Sequence, residues 1–230
     1  MLDNLNILLG VSGGIAAYKA VDLASKLTAG GAIVNTVMTE SACRLVGPKS
    51  FEAITQSAVF TSLWELDARF DLQEPGIEHQ AGTPQGRAPV GSPATARAFA
   101  ETSALTSGNP SHIALVDWAD IVVVAPATAN IIGKIANGIC DDLLSTTLCA
   151  CWPLIKSGAT LLAPAMNNNM WANVAVQRNV KTVKEMGFEL VGPVKGRLAC
   201  GTEAIGRMAE PQDILKAIEK IASKINRRVR

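Results

Sequence analysis

Aromatic side chains are scarce in this chain: four Trp, five Phe and one Tyr make up 4% of its 230 residues. That argues against an aromatic-rich β-sandwich. Charge of one sign is also lacking, since 21 basic and 20 acidic side chains leave a net charge of +1. Such a chain has no overall field to attract nucleic acid or an anionic membrane surface. No apolar run approaches the roughly 18 residues of a membrane span. The first ten residues lack the basic start and apolar stretch of a secretory signal. Two histidines are too few for an attractive metal site. The five cysteines (Cys43, Cys140, Cys149, Cys151 and Cys200) form no CxxC pair and no zinc pattern. An odd count with irregular spacing fits reduced thiols in the cytoplasm. Basic residues gather at Arg227, Arg228 and Arg230, which reads as a solvated tail.

What is abundant is small and aliphatic: 48% of the chain is hydrophobic, enough for one large domain with a full core. Residues 6–11 form an apolar stretch followed by Gly13-Gly14. Residues 15–28 then carry apolar side chains at helical spacing (Ile15, Tyr18, Ala20, Val21, Leu23, Ala24 and Leu27), and Gly30-Gly31 ends the helix. Residues 32–38 read as a second strand, with Thr39, Glu40 and Ser41 capping the next helix. This β-α-β opening predicts an α/β fold: a doubly wound, Rossmann-like or flavodoxin-like parallel sheet in a single domain, residues 1–230. Further on, the pattern predicts a helix over 112–118 capped by Ser111, strands over 120–125, 160–163 and 188–191, and helices over 131–137, 141–151, 174–186 and 211–225. The segment at about 70–110 differs. Its 75–110 portion holds five Pro and five Gly in 36 residues. It is expected to be a mobile loop, an insertion or a lid, with a weak helix over 94–105.

In open α/β sheets the ligand sits beyond the carboxyl ends of the strands. Ala163-Pro164-Ala165-Met166-Asn167-Asn168-Asn169-Met170-Trp171 occupies such a place. Asn supplies a donor and an acceptor without charge, and Met an adaptable apolar wall. Together they suit a flat ligand with polar edges; an ordinary N-capping turn is the plainer alternative. At the end of the first strand, Ser12, Gly13, Gly14 and Ile15 form a turn whose backbone N–H groups can hold a phosphate. It is not a GxGxxG, so a mononucleotide such as FMN fits better than a dinucleotide; a tight turn without ligand is the other reading. Thr39, Ser41, Ala127, Thr128 and Asn130 lie at neighbouring strand ends, where small hydroxyl groups could meet the phosphate and ribityl chain of a flavin. His112 is a candidate base, since an imidazole can accept a proton, whereas His79 reads as solvated. The stretch from Leu198 to Met208 reads as a surface loop or as a flap whose Cys200 thiol donates a proton. The other four cysteines are expected to be small core residues.

The order of these motifs resembles the homo-oligomeric flavin-containing cysteine decarboxylases. The likeness is carried by Gly10-Val11-Ser12-Gly13-Gly14-Ile15-Ala16-Ala17-Tyr18, by His112 to Asp120, by Pro126-Ala127-Thr128-Ala129-Asn130, by Pro164 to Trp171, and by Ala199-Cys200-Gly201 with Gly206-Arg207-Met208-Ala209-Glu210-Pro211. It covers nearly the whole chain outside 70–110. The resemblance implies FMN as cofactor and a trimer, or a dodecamer built of trimers, with the flavin near subunit contacts. It implies that His112 is the base, that Asn167 binds the substrate carboxylate with Met170 beside it, and that Cys200 reprotonates the product. Ala199, Gly201, Arg207 and Met208 would belong to the closing flap, and Met166 to the flavin wall. Arg207 and Lys195 are candidates for a substrate phosphate.

The last motif resembles the pantothenate branch of the family. The expected reaction there is decarboxylation of 4′-phospho-N-pantothenoylcysteine to 4′-phosphopantetheine in coenzyme A biosynthesis. The flavin would oxidise CH2–SH to a thioaldehyde, which gives the carboxylate its electron sink. After loss of CO2, hydride and a proton would return. No phosphopantothenate–cysteine ligase segment follows Arg230, so the chain is expected to be a stand-alone decarboxylase beside a separate ligase, or a piece of a bifunctional protein. Departures from the family pattern are the long 70–110 segment, Ile131 in place of Thr, and Ala204 in place of Gly. Competing expectations are a peptidyl-cysteine decarboxylase and a non-enzymatic flavin-binding regulatory subunit. A flavin prenyltransferase would share the fold without the Asn167 and Cys200 features.

Overall fold

The computed structural model describes residues 2–63, 111–197, 199, 201 and 203–228. Five segments build one face and edge of the fold: β1 (Asn6–Val11), α1 (Ala17–Ala29), β2 (Ile33–Met38), the short α2 (Glu40–Cys43) and α3 (Pro48–Thr55), followed by β3 (Val59–Phe60). The chain continues with α4 (Ser111–Trp118), β4 (Ile121–Ala127), α5 (Ala129–Asn137), α6 (Leu143–Ala150), α7 (Trp152–Ser157) and β5 (Thr160–Pro164). It closes with α8 (Asn168–Ala172), α9 (Val174–Met186), β6 (Glu189–Leu190), the pair β7 (Val194–Arg197) and β8 (Glu203–Arg207), and α10 (Pro211–Arg228).

Six parallel strands form one sheet in the order β3-β2-β1-β4-β5-β6. The central strands are buried along almost their whole length, as expected for a parallel sheet covered on both faces. Successive side chains alternate between two cores. Ile7, Leu9, Val11, Val123 and Leu161 join the helices α1, α3 and α10. Leu8, Val122, Val124 and Leu162 join α4, α5, α6 and α9 on the opposite face. The doubly wound α/β expectation is therefore met, in one domain.

Local signals account for most boundaries. Buried Ala17, Ala20, Leu23, Ala24 and Leu27 form the stripe of α1, which ends at Gly30 and the left-handed Gly31. Thr39 caps α2 and Thr128 caps α5 through their side-chain oxygens. Asp142 and Ser145 form a reciprocal capping box on α6.

Several expectations need correction. The 198–208 stretch, expected to be a surface loop or a flap, contains β8, which pairs with β7 just before that stretch as an antiparallel ribbon; these short strands lack a run of β-branched residues that would have marked them. Just before and in the first turn of α1, Ile15 and Tyr18 are 64% and 61% exposed while Lys19 is buried, the reverse of the apolar spacing. Cys140 and Cys149 are exposed rather than core residues, whereas Cys151 is buried. α10 continues to Arg228, so the basic end is helical and not a free tail up to that point. Ile131, expected to loosen a polar contact, is a buried member of the second core. The expected insertion or lid at 70–110, its weak helix and His79 lie outside the described residues.

Candidate functional site

The sheet order reverses between β1 and β4, so a crevice opens beyond their carboxyl ends. A cavity of about 1220 Å³ occupies it. Its floor is the β1–α1 turn. The N–H groups of Gly13, Ile15 and Ala16 have no acceptor among the described residues, while Gly14 N–H donates to the Ser12 carbonyl at 2.8 Å. Three orphan donors at the start of a 13-residue helix make an anion cradle. Close packing explains the glycine: a Cβ on Gly13 would lie 2.3 Å from the Ser41 Cβ. Ser41 and Thr39 thereby reach the cavity wall from the β2–α2 turn.

Ser12 lines the cavity, yet its hydroxyl donates to the Pro126 carbonyl at 2.7 Å and accepts the Thr128 N–H at 3.1 Å. It ties the end of β1 to the end of β4. Ala127 is fully buried, and its carbonyl accepts the Ala165 N–H at 3.0 Å. It supports the wall rather than lining it. Gly14, Ile15, Thr128 and Asn130 line the cavity directly.

Asn167 follows β5 and caps α8: its Oδ1 accepts the Asn169 N–H at 2.8 Å. The N-capping turn offered as the plainer alternative for this stretch is present, with Asn167 as the cap. Asn168 instead donates its amide to Asn169 Oδ1 at 3.1 Å. Asn167, Met166 and Met170 all face the cavity. Above them lies the ribbon. Met166 N–H donates to the Gly206 carbonyl at 2.9 Å, and Ala199, Gly206, Arg207 and Met208 complete that wall. Gly201 does not line the cavity. Cys200 lies outside the described residues. His112 sits half-buried in α4 and away from the cavity.

Charged groups that sequence reasoning missed also line the site. Lys134 bridges Asp141 and Asp142. Burial opposes its charge, but hydrogen bonds to both carboxylates prevail and hold its pKa above the ordinary lysine value. The same hydrogen bond from Lys134 lowers Asp141. Lys19 and Arg207 meet on one oxygen of Glu210, at 2.9 and 2.6 Å. The Lys19 hydrogen bond holds the Glu210 carboxyl below its usual range. Arg197 enters from β7, whereas Lys195 does not reach the cavity. Lys19 stands between Tyr18 and Ala20, and nothing in that local sequence signals a buried charge. Among the described residues no group of three or more His, Cys, Asp or Glu could hold a metal, and no helix is long and apolar enough to cross a membrane.

Comparison with known proteins bears on this arrangement. The model of the Flavoprotein family matches residues 1–223. The chain is 41% identical over 220 residues to the "Coenzyme A biosynthesis bifunctional protein CoaBC" of Bacillus subtilis strain 168, covering 96% of this chain and 44% of that protein. The protein of the same name from Escherichia coli strain K12 is 34% identical over 214 residues, covering 93% of this chain and 42% of the other. The chain thus spans a little under half the length of these curated relatives. Among solved structures, a PPC decarboxylase mutant complexed with pantothenoylaminoethenethiol superposes with a TM-score of 0.69 at 28% identity, covering 96% of this chain and 99% of that one. The FMN-dependent cysteine decarboxylase SpaF gives a TM-score of 0.65 at 30% identity, with the same two coverages of 96% and 99%.

Proposed function

The chain belongs to the Flavoprotein family, and from that premise we propose that it is an FMN-dependent carboxy-lyase converting 4′-phospho-N-pantothenoylcysteine to 4′-phosphopantetheine. One observation carries the reading: the anion cradle of Gly13, Ile15 and Ala16 and the Met166-Asn167-Met170 wall face a single cavity. The cradle fits the phosphate of a mononucleotide, with Thr39, Ser41, Thr128 and Asn130 beside it. The relatives named for coenzyme A biosynthesis support the pantothenate substrate over a peptide.

When bound, the flavin supplies a hydride acceptor for the cysteinyl CH2–SH group and returns the hydride after CO2 has left. The chain's own residues bind and move protons. Asn167 holds the substrate carboxylate. Its Oδ1 is fixed by the Asn169 N–H, and the amide NH2 is the half that a carboxylate needs. A neutral donor avoids stabilising the ground-state carboxylate as a full cation would. Met166 and Met170 give the apolar wall from which CO2 leaves as a neutral molecule, while the electron pair of the broken C–C bond stays on the substrate. Across the reaction a C–C bond breaks, a C–H bond forms and one proton is taken up. We assign delivery of that proton to Cys200, which lies in sequence between β7 and β8, next to the cavity-lining Ala199.

His112 is the base of the oxidation step. Its place in α4, off the cavity of its own chain, calls for delivery by a second copy. The exposed Ile15 and Tyr18 at the cavity rim support such a contact. We therefore include in the proposal a homo-oligomer, a trimer or a dodecamer of trimers, working in the cytoplasm beside a cysteine-ligating enzyme that makes its substrate.

The test is incubation of the purified yellow protein with phosphopantothenoylcysteine and, separately, with a Cys-terminated peptide. CO2 release from the first alone is expected. Release from the peptide alone would transfer the assignment to peptidyl-cysteine. Bound FMN with no CO2 from either would overturn the decarboxylase reading in favour of a regulatory flavin-binding subunit. Cys200→Ser is expected to release CO2 and accumulate the enethiol; normal turnover would remove Cys200 from the mechanism.

A further inference from the structure

The two ends of the cavity differ in charge. At one end Lys134 faces two carboxylates, Asp141 and Asp142, for a local balance of −1. At the other, Lys19 and Arg207 share the single carboxylate of Glu210. Arg197 stands beside them: its neighbour Gly196 lies under Arg207, whose guanidinium Nη1 would be 3.2 Å from a Cβ there. Glu203 is opposite Arg197 in the ribbon register, yet no carboxylate among the described residues bridges it. Lys19, Arg197 and Arg207 thus meet one bridging carboxylate, a formal excess of +2 that falls to +1 with Glu203 across the ribbon counted. Lys19 is also buried, with its side chain only 9% exposed. Burying an ammonium is costly without anionic partners, and its one partner is shared and half-exposed.

We propose that this end is a subsite for a phosphate monoester, and that it takes the 4′-phosphate of the substrate on Arg197 and Arg207 with Lys19 behind them. A phosphate monoester carries about −1.5 to −2 at neutral pH, which matches the local excess. Arg presents the planar donor fork that such a group accepts. The subsite joins the ribbon to the start of α1, so binding the phosphate there orients the reacting cysteine in the cavity. The proposal rests on the pantothenate reading above. The same chemistry could come from the flavin's own phosphate, and the experiment separates the two sources.

Isothermal titration of the flavin-loaded protein with 4′-phosphopantothenate and with pantothenate needs no turnover, so it tests the subsite even if no CO2 is released in the assay above. The phosphorylated ligand is expected to bind at least about tenfold more tightly, the order of one charge-assisted contact. Arg197→Gln is expected to remove most of that preference, to raise KM for phosphopantothenoylcysteine about 10- to 100-fold and to leave KM for pantothenoylcysteine and the flavin content unchanged. Lys195→Gln, the same charge loss on the same strand but away from the cavity, is expected to change neither ligand. Equal binding of the two ligands by the native protein would overturn the proposal. So would loss of flavin from Arg197→Gln with the phosphate preference intact, which would assign the cations to the flavin phosphate.

Discussion

Gly206 and Met166 are joined so closely that nothing larger than glycine fits between them. The Met166 N–H donates to the Gly206 carbonyl at 2.9 Å, and a Cβ on Gly206 would fall 2.2 Å from the Met166 carbonyl oxygen. Gly206 also has φ +150°, a conformation that side chains rarely adopt. The contact docks the ribbon on the segment that carries Asn167. Gly206→Ala is therefore expected to push β8 off that segment while the sheet stays intact. Misplacing a site wall by about 1 Å can cost on the order of 100-fold in rate. A fall in kcat/KM of that order, with unchanged far-UV circular dichroism and faster proteolysis within 194–207, is the expected result. Native kinetics would show that the ribbon does not have to dock there.

Asn167 has two roles that substitution can separate. As the cap of α8 it satisfies the Asn169 N–H; as a cavity residue it is proposed to present an amide to the substrate. Asn167→Ala removes both, and the lost cap is expected to lower stability by about 1 kcal/mol. Asn167→Ser keeps an N-capping oxygen and loses the carboxamide. Its melting temperature is expected to stay close to native while decarboxylation falls as far as in the Ala variant. Equal activity of Asn167→Ser and the native protein would show that the capping role alone is needed.

The frame that positions these residues was legible in the sequence. Glycine pairs after β1 and α1, the Val-rich β4 and the helical spacing of α10 each mark an element through local chemistry. The site was legible where backbone geometry makes it, at Gly13-Gly14 and at Pro164 to Trp171. What escaped were pairings between distant segments. Lys19 and Glu210 are separated by 191 residues, and nothing local in either tells that a buried ammonium awaits a carboxylate. The ribbon escaped because β7 and β8 pair through short, polar strands with little alternation of their own. His112 was legible as a candidate base by residue type, but its place off the cavity depends on how α4 packs, which periodicity does not reveal.

The cysteines should separate by reactivity. Burial, with a smaller contribution from Cys149, pushes the Cys151 thiol up to about 12, and its side chain is in the core. Thiolates, not thiols, attack alkylating reagents, so Cys151 is expected to remain unlabelled by iodoacetamide at pH 8 in the native state. Cys140 and Cys149 are exposed. Desolvation and the hydrogen bond with Cys149 raise Cys140 above the ordinary thiol value, so its labelling should quicken steeply as pH rises past neutrality. Peptide mass mapping after timed alkylation reads each site. Early labelling of Cys151 would show that α6 and α7 open far more readily than their buried packing implies.

Acid should release the anchor of the ribbon before it unfolds the sheet. Glu210 is lowered chiefly by its hydrogen bond with Lys19. A carboxyl depressed in the folded state stabilises fully above its unfolded value, near 4.5, and loses that contribution as pH falls through the lower folded value. The stability difference between the native protein and Glu210→Gln should therefore be constant from pH 6 to pH 7 and shrink below about pH 4.5. Glu210 is half-exposed, so screening keeps the absolute difference modest. The variant also leaves Lys19 and Arg207 without their shared carboxylate. Cation repulsion then loosens the ribbon, and faster proteolysis of 194–207 at neutral pH is expected in Glu210→Gln alone. Urea unfolding midpoints at pH 7 and pH 3.5, measured on both proteins with proteolysis alongside, test the assignment. A difference that stays constant or grows on acidification would show that the Lys19–Glu210 pair does not hold the ribbon.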